Sequence, residues 1–179
     1  MWKVQVPLKI ITFVWKLLKD SLPTMLALKT RGINTDGLCP MCNTEKESLT
    51  HLFLLCPFAR AIWNGSTLSI HTSEFSNLSV HQWLKSILFN CKGNDDISMA
   101  YLQAIFTTLW SIWAYRNRVI HQGICPNPLE VILMAQSLSC RYKSTFSNSA
   151  QDLNAAITQY PQCHGQQQTI SNVQQDHGI

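Results

Sequence analysis

The chain places four residues of metal-binding type within eighteen positions, in the order Cys39-x2-Cys42-x8-His51-x4-Cys56. Zinc takes thiolate and imidazole ligands in a tetrahedron, and a C-x2-C pair in a tight turn lets two thiolates reach one ion. Four such ligands leave no coordination position for a reacting water. The spacing therefore predicts a structural zinc site, and it disfavours the alternative of ordinary buried cysteines beside a satisfied histidine.

The segment that carries the last two ligands raises a geometric question. If it is helical, positions five apart such as His51 and Cys56 lie only roughly on one side. We therefore expect Cys56 at or just past the end of that helix, where Pro57 favours a break.

Apolar residues recur at helical spacing through most of the chain before residue 147, which predicts a mainly α fold. Residues 33–47 lack this spacing and are predicted to form a loop. The predicted helices are about 7–20, one opened by Thr24 and ended by Gly32, one near Ser48, one after Pro57, one capped by Ser79, one from Asp96 to about Gln122, and one begun by Asn127-Pro128. We expect the last two to pack as a helical hairpin.

Composition divides the chain into four predicted regions. Residues 1–64 would form a small zinc-stabilised helical domain, and the Ser-, Thr- and Asn-rich residues 65–78 a linker. Residues 79–147 would form the helical region that contains the hairpin. Residues 148–179 hold eight Gln and no Lys or Arg, which predicts a disordered tail.

Positive charge is concentrated at the start of the chain. The formal net charge is +4, yet residues 1–35 hold six basic residues and one acid. Phosphate binding requires cations, so this region would meet RNA or DNA, and Trp2, Phe13 and Trp15 would be available to stack on bases. The alternative is a solvated lysine face over core aromatics. The predicted phosphate contacts are Lys3, Lys9, Lys16, Lys19, Lys29 and Arg31.

The residues do not favour an enzyme. The chain has 179 residues, too few for a polymerase, and it lacks a Gly-rich phosphate loop. His71, His81 and His121 have no nucleophile or carboxylate partner at a recognisable spacing. We therefore expect neither catalytic residues nor a small-molecule substrate.

An uncharged run from Ile97 to Tyr115 is close to the length that spans a bilayer. Gln103, Thr107 and Ser111 recur every four residues within it, which places a polar stripe along one helix face. A stripe of this kind favours a buried amphipathic helix, so we do not expect a membrane partner.

Beyond the cysteines and histidine, further motifs give the first part of the chain a family likeness. These motifs are Trp2, Val6-Pro7-x-Lys9, Phe13-x-Trp15, Leu22-Pro23-Thr24, Leu28, Arg31-Gly32-Ile33, Cys39-Pro40-x-Cys42, Glu47, His51-Leu52-Phe53, Cys56-Pro57-Phe58-Ala59-Arg60 and Ile62-Trp63. In this order and spacing they resemble the zinc-binding domain that follows the polymerase in plant LINE-type, non-LTR retrotransposon reverse transcriptases.

The resemblance implies the same four metal ligands, and Ile112-Trp113-x-x-Arg116-Asn117-x-x-Ile120 resembles the segment that connects this domain to an RNase H domain. Neither the polymerase with its paired aspartates nor an acidic RNase H cluster is found. The tail offers only Asp152 and Asp176 as acids. We therefore interpret the chain as a truncated or remnant copy of a retroelement.

Two functions follow from this resemblance. The first is a non-catalytic zinc-binding module that assists nucleic-acid binding. The second is a structural or protein-interaction module that packs on the polymerase domain of the parent element. The seven unevenly spaced cysteines do not form a secreted disulfide framework, so we expect an intracellular protein. A nuclear location would follow only from the life cycle of the element, because no run of five to eight basic residues favours import.

Overall fold

The computed structural model describes residues 4–91 and 96–142. These residues are mainly helical and contain a single isolated antiparallel bridge, Leu38 to Lys46, which confirms the predicted fold class. The helices are α1 (Leu8–Leu18), α2 (Met25–Thr30), α3 (Pro57–Gly65), α4 (Val80–Asn90), α5 (Asp96–Gln122) and α6 (128–142), with a π-helical turn at His51–Leu55 and a 3-10 helix at Thr72–Phe75. The predicted tail at 148–179 lies outside the described residues.

Helix ends lie where capping residues predict them. The Thr24 hydroxyl accepts a hydrogen bond from the Ala27 amide at 3.2 Å, which satisfies a free donor in the first turn of α2. Ser79 and Gln82 form a reciprocal capping box at the start of α4. Gly123 ends α5 with a φ of 65°, a left-handed conformation that suits glycine.

The core is one continuous cluster of buried apolar side chains that runs from Val4 to Tyr142. Aromatic rings form the contact between α1 and α5. Phe13 of α1 meets Trp110 edge-on, with ring centroids 5.4 Å apart, and stacks on Trp113 at 6.3 Å. Arrangements of this kind add stability beyond the area that they bury.

Helices α5 and α6 form the predicted hairpin, and the polar stripe of α5 faces α6. The Gln103 amide donates to the Ser139 carbonyl at 3.1 Å, and the hydroxyls of Thr107 and Ser139 are 2.8 Å apart. By length and composition alone α5 could cross a membrane, but 56% of its most apolar window is buried inside the protein. Core helices of soluble proteins pass the same test.

Residues 65–78, interpreted from composition as a linker, contain a 3-10 helix and bury the side chains of Ser66 and Thr72. The Ile70 amide donates to the Trp63 carbonyl at 3.2 Å, so this segment packs back on α3. A Cβ on Gly65 would lie 2.9 Å from the Ile132 side chain of α6, which shows how closely the two regions approach. The domain boundaries stay a prediction.

Candidate metal centre

The structure brings the four predicted ligands together. One sulfur or ring-nitrogen atom from each of Cys39, Cys42, His51 and Cys56 lies within 4.8 Å of the others. The sulfurs of Cys39 and Cys56 are 3.9 Å apart, and the Cys42 sulfur lies 3.3 Å from His51 Nε2. A zinc tetrahedron separates two sulfurs by roughly 3.8 Å and a sulfur from a nitrogen by roughly 3.6 Å. The cluster is therefore positioned to bind a metal ion.

The first two ligands are held by a short backbone hairpin in the loop. The Cys39 amide donates to the Glu45 carbonyl at 2.8 Å, and the Asn43 amide donates to the Cys39 carbonyl at 2.8 Å. Asn43 adopts a φ of 56°, a left-handed conformation that asparagine tolerates. These bonds turn the chain tightly enough to bring the two thiols to one side.

The last two ligands are brought together by the π-helical turn. Its defining hydrogen bond runs from the Cys56 amide to the His51 carbonyl at 2.7 Å. A π turn closes between residues five apart, so it places Cys56 near His51, which an α-helix would not do. Cys56 itself leaves the helical conformation, with a ψ of 133°, so it lies just past the helix end as expected.

The π turn leaves two carbonyls without helical partners, and buried side chains satisfy them. The Trp63 indole donates to the Phe53 carbonyl at 2.7 Å, and the Thr72 hydroxyl donates to the Leu54 carbonyl at 2.7 Å. Unpaired polar groups are costly in a protein interior. The composition of residues 65–78 gave no sign that Thr72 supports the metal centre.

The hydrogen bond that Cys39 shares with Cys56, together with burial, raises the pKa of the Cys39 thiol to about 12. The same hydrogen bond lowers the pKa of Cys56 in spite of its burial. Burial alone would raise the pKa of Cys42, but hydrogen bonds from Thr44, the Glu45 backbone and His51 together outweigh burial and lower it. Two of the three thiols are thus biased toward the thiolate that a metal requires, and a bound cation would deprotonate the third.

Burial would lower the pKa of the fourth ligand, His51, but hydrogen bonds with the Cys39 and Cys42 thiols outweigh burial and raise it. Zinc takes the neutral imidazole and displaces these protons when it binds. Three cysteines and one histidine form a donor set that suits zinc in a closed site.

Residues 1–63 match the family model described as zinc-binding in reverse transcriptase. This part of the chain resembles the zinc-binding domain of reverse transcriptases. Zinc is accordingly the cofactor of this segment, which we call the zinc-binding segment. The match covers about a third of the chain and contains all four residues of the cluster.

One relative is a protein of Arabidopsis thaliana named "Putative ribonuclease H protein", which is 27% identical over 116 residues. That alignment covers 65% of this chain, so the likeness extends beyond the zinc-binding segment. The chain spans 18% of the length of this relative. No solved structure matches the chain.

A buried ion pair joins the zinc-binding segment to α5. Arg116 donates from Nε to one carboxylate oxygen of Glu47 at 2.9 Å and from a terminal nitrogen to the other at 2.6 Å. Glu47 also accepts from the Met25 amide at 2.6 Å, at the start of α2. The Glu47 and Arg116 side chains are 0% and 5% exposed.

Sequence reasoning did not assign either partner of this pair. Helical spacing gave Arg116 no partner, yet its guanidinium is buried against Glu47. The two residues are 69 positions apart, so no local pattern connects them. The resemblance named both as part of its motifs, and this was the only available signal.

The predicted phosphate contacts divide by helix. Lys9, Lys16 and Lys19 are exposed on or next to α1. Lys29 and Arg31 are exposed on or next to α2, where the Lys29 ammonium donates to the Asp36 carbonyl at 3.2 Å. Lys3 lies outside the described residues.

The aromatic residues predicted to stack on bases differ in exposure. Phe13 is 3% exposed and belongs to the core, so for this residue the alternative of a core aromatic holds and it is not free to stack on a nucleobase. The reason is its position on the inner face of α1, against Trp110 and Trp113. Trp15 is 55% exposed, and Trp2 lies outside the described residues.

Proposed function

We propose that residues 1–64 form a non-catalytic, zinc-stabilised module of a reverse-transcriptase-related protein, and that this module helps to hold RNA or DNA. Cys39, Cys42, His51 and Cys56 would bind the ion. The observation that carries the proposal is the approach of these four ligand atoms to within 4.8 Å of one another.

The donor set supports a structural role for zinc over a catalytic one. Catalytic zinc sites keep a position open for water or substrate, whereas four protein ligands complete the tetrahedron. Two of the ligands, Cys39 and Cys56, are fully buried, and His51 is 8% exposed. A reacting molecule would have little access to an ion held in this way.

Exposed cations on the first two helices support nucleic-acid binding. Five of the six predicted basic residues are described and all five are exposed, so they are available to phosphates. Backbone contacts of this kind give affinity without sequence preference and weaken steeply with salt. The relative from Arabidopsis is named as a ribonuclease H protein, a class that acts on nucleic acid.

The first test is metal content. Native mass spectrometry of the full chain, purified without added zinc, is expected to find one zinc per molecule. Cys42→Ser should lose the ion, whereas Cys125→Ser, an exposed cysteine outside the cluster, should keep it. A folded wild-type chain without metal would overturn the zinc assignment.

The second test is a titration of the zinc-loaded chain with labelled oligonucleotides at several salt concentrations. Binding should weaken as salt rises, with a slope that reports the number of phosphates contacted. Replacing Lys9 and Lys16 by Gln should lower that slope. Absence of binding at low salt by a chain that keeps its zinc would contradict the nucleic-acid role.

A protein-interaction role is the second candidate, and one observation favours it. Leu129 and Leu133 on α6 are 60% and 53% exposed and lie one turn apart on the same face. Exposed apolar residues in a group can indicate a contact surface. Self-association that is insensitive to salt and is abolished by Leu133→Lys would support this role.

A further inference from the structure

A cleft of about 580 Å³ lies between α1 and α5, beside the short segment that joins α1 to α2. Its walls include Lys9, Thr12 and Lys16 from α1, Pro23 from the joining segment, and Trp110 and Trp113 from α5. A volume of this size is typical of sites that bind small organic groups. No acidic side chain lines the cleft within the described part of the chain.

The aromatic wall of the cleft centres on Trp110, which is partly exposed. Phe13 contacts this ring in a T-shaped arrangement, with the ring centroids 5.4 Å apart. The Lys9 ammonium lies 5.6 Å from the centre of the Trp110 ring, a cation–π contact. Phe13 thus helps to fix the ring, and the Lys9 side chain that lies over it is exposed and flexible.

The positive charge of the cleft comes from one face of α1. Lys9 and Lys16 are seven residues apart, which is two turns or about 10 Å along the helix axis. Both are exposed, and Thr12 lies between them on the same face. Two cations at this separation can contact the backbone of a single strand, and the Trp110 ring of α5 lines the same cleft.

We propose that this cleft holds single-stranded nucleic acid, with one unstacked base on Trp110 and the flanking phosphates on Lys9 and Lys16. The inference rests on the proposed nucleic-acid function and specifies its site and its ligand. Bases in a duplex have both faces covered by their neighbours, whereas a single strand can offer a face to tryptophan. The stacking base would displace the Lys9 ammonium from the ring toward a phosphate.

The inference is tested with the zinc-loaded full chain and labelled twelve-nucleotide strands of DNA and RNA, each alone and as a duplex. Single strands should bind more tightly than duplexes. Because neither tryptophan nor lysine distinguishes the 2′-hydroxyl, DNA and RNA single strands should bind equally. Quenching of tryptophan fluorescence should accompany binding and should diminish in Trp110→Leu.

Two sets of variants locate the binding site. Trp110→Leu should weaken single-strand binding by about 5- to 150-fold, the usual range for a lost base stack, and Trp110→Phe should keep most of the affinity. Thr12→Glu places a carboxylate in the cleft at an exposed position, so it should weaken binding without unfolding the chain. Thr12→Gln, of similar size and without charge, should bind like the wild type.

Lysine variants and salt give a second measurement. Lys9→Gln and Lys16→Gln should each lower the slope of log affinity against log salt by about 0.7, the value for one phosphate contact on a single strand. Lys85→Gln, at an exposed cation on α4 that neither lines the cleft nor belongs to the predicted phosphate contacts, should leave the salt slope and the quenching unchanged. Zinc content and thermal unfolding of each variant show whether it has kept its fold.

The results distinguish failure of the cleft from failure of the nucleic-acid function. If Trp110→Leu and Thr12→Glu bind like the wild type while Lys29→Gln weakens binding, the site lies elsewhere and the proposed function stands. If no strand binds the folded, zinc-loaded chain, both proposals fail. If the wild type dimerises and Thr12→Glu abolishes the dimer, a second copy occupies the cleft and the inference is overturned.

Discussion

The metal-binding loop at 33–47 and the hairpin of α5 with α6 are stabilised in opposite ways. Within the loop the only fully buried apolar side chains are Cys39 and Met41. Helix α5 alone contributes seven buried apolar residues to the core. The hairpin therefore gains its stability from apolar burial, whereas we expect the loop to depend on an ion held by its cysteines.

Glu47 and Arg116 connect these two regions. The carboxylate belongs to the end of the loop and the guanidinium to α5, and the contact between them is bidentate. Arg116 also donates to the Pro23 carbonyl at 3.3 Å, just before α2. The position of the loop on the core is thus specified by a charged contact, which tolerates little displacement.

Zinc removal is expected to produce the largest difference between the loop and the hairpin. A structural zinc contributes on the order of 10 kcal/mol or more to the folding of the segment that binds it. Chelation should therefore speed hydrogen exchange at the loop amides, while the amides of α5 around Leu109 keep most of their protection from exchange. Hydrogen exchange read by mass spectrometry measures both regions in one experiment.

Exchange at the loop amides and two cysteine variants test whether the loop depends on zinc. If the amides of Cys39 and Glu47 exchange equally slowly with and without zinc, the loop does not depend on the ion. Cys39→Ser should reproduce the effect of the chelator. Cys125→Ser should exchange like the wild type, because Cys125 is exposed and lies outside the cluster.

Breaking the connecting ion pair should have the next largest effect. Removing one partner of a buried pair leaves an uncompensated charge and costs about 3–5 kcal/mol. Arg116→Met and Glu47→Leu should each lower the free energy of unfolding of the zinc-loaded chain by this order, measured in urea. The double variant Glu47→Leu with Arg116→Met should recover a large part of the loss.

A double-mutant cycle decides whether the two regions are coupled here. If the losses of the single variants simply add, the pair carries no interaction energy and the regions are joined by packing alone. Glu130→Gln is the control, because this carboxylate is half-exposed and its contact with Arg118 is long, at 3.9 Å. Exposed pairs of this kind contribute about 0–1 kcal/mol.

Much of this architecture could be predicted, because its signals are local. The helix starts at Thr24 and Ser79 and the stop at Gly123 depend on residues within one turn of each end. The four ligands are close in the chain and share one chemistry. The polar stripe of α5 repeats at helical spacing, so the sequence alone indicated that this face is buried.

The interactions that hold the site together could not be predicted, because each depends on distant parts of the chain. The π turn at His51–Leu55 requires partners for its free carbonyls, and Thr72 supplies one of them from 18 residues away. The partner of Glu47 is 69 residues away. Neither distance leaves a periodic pattern in the sequence.

The hydrogen bond from Thr72 to the π turn should contribute the next largest stabilisation. Thr72→Val removes the hydroxyl that donates to the Leu54 carbonyl and leaves a buried acceptor without its hydrogen bond, a loss of about 1–3 kcal/mol. Thr67→Val serves as the control, because Thr67 is exposed in the same segment. Equal unfolding free energies for the two variants would show that the π turn does not need this bond.

The smallest expected effect compares the two regions most directly, because the same glycine-to-alanine substitution can be made in both. Gly32 after α2 and Gly123 after α5 both have positive φ, 82° and 65°, and a Cβ at either would meet open space. Alanine at each should cost about 1 kcal/mol in the zinc-loaded chain, the usual penalty for a left-handed residue with a side chain.

Zinc removal should separate the two glycine variants. Helix α2 has six residues, none of them fully buried, and it is held to the loop by the Met25 contact with Glu47. Once chelation releases the loop, α2 loses this support and Gly32→Ala should cost nothing, whereas Gly123→Ala should keep its cost because α5 remains packed. Urea unfolding with and without chelator measures this difference, and a cost at Gly32 that survives chelation would mean that α2 holds its structure without the metal.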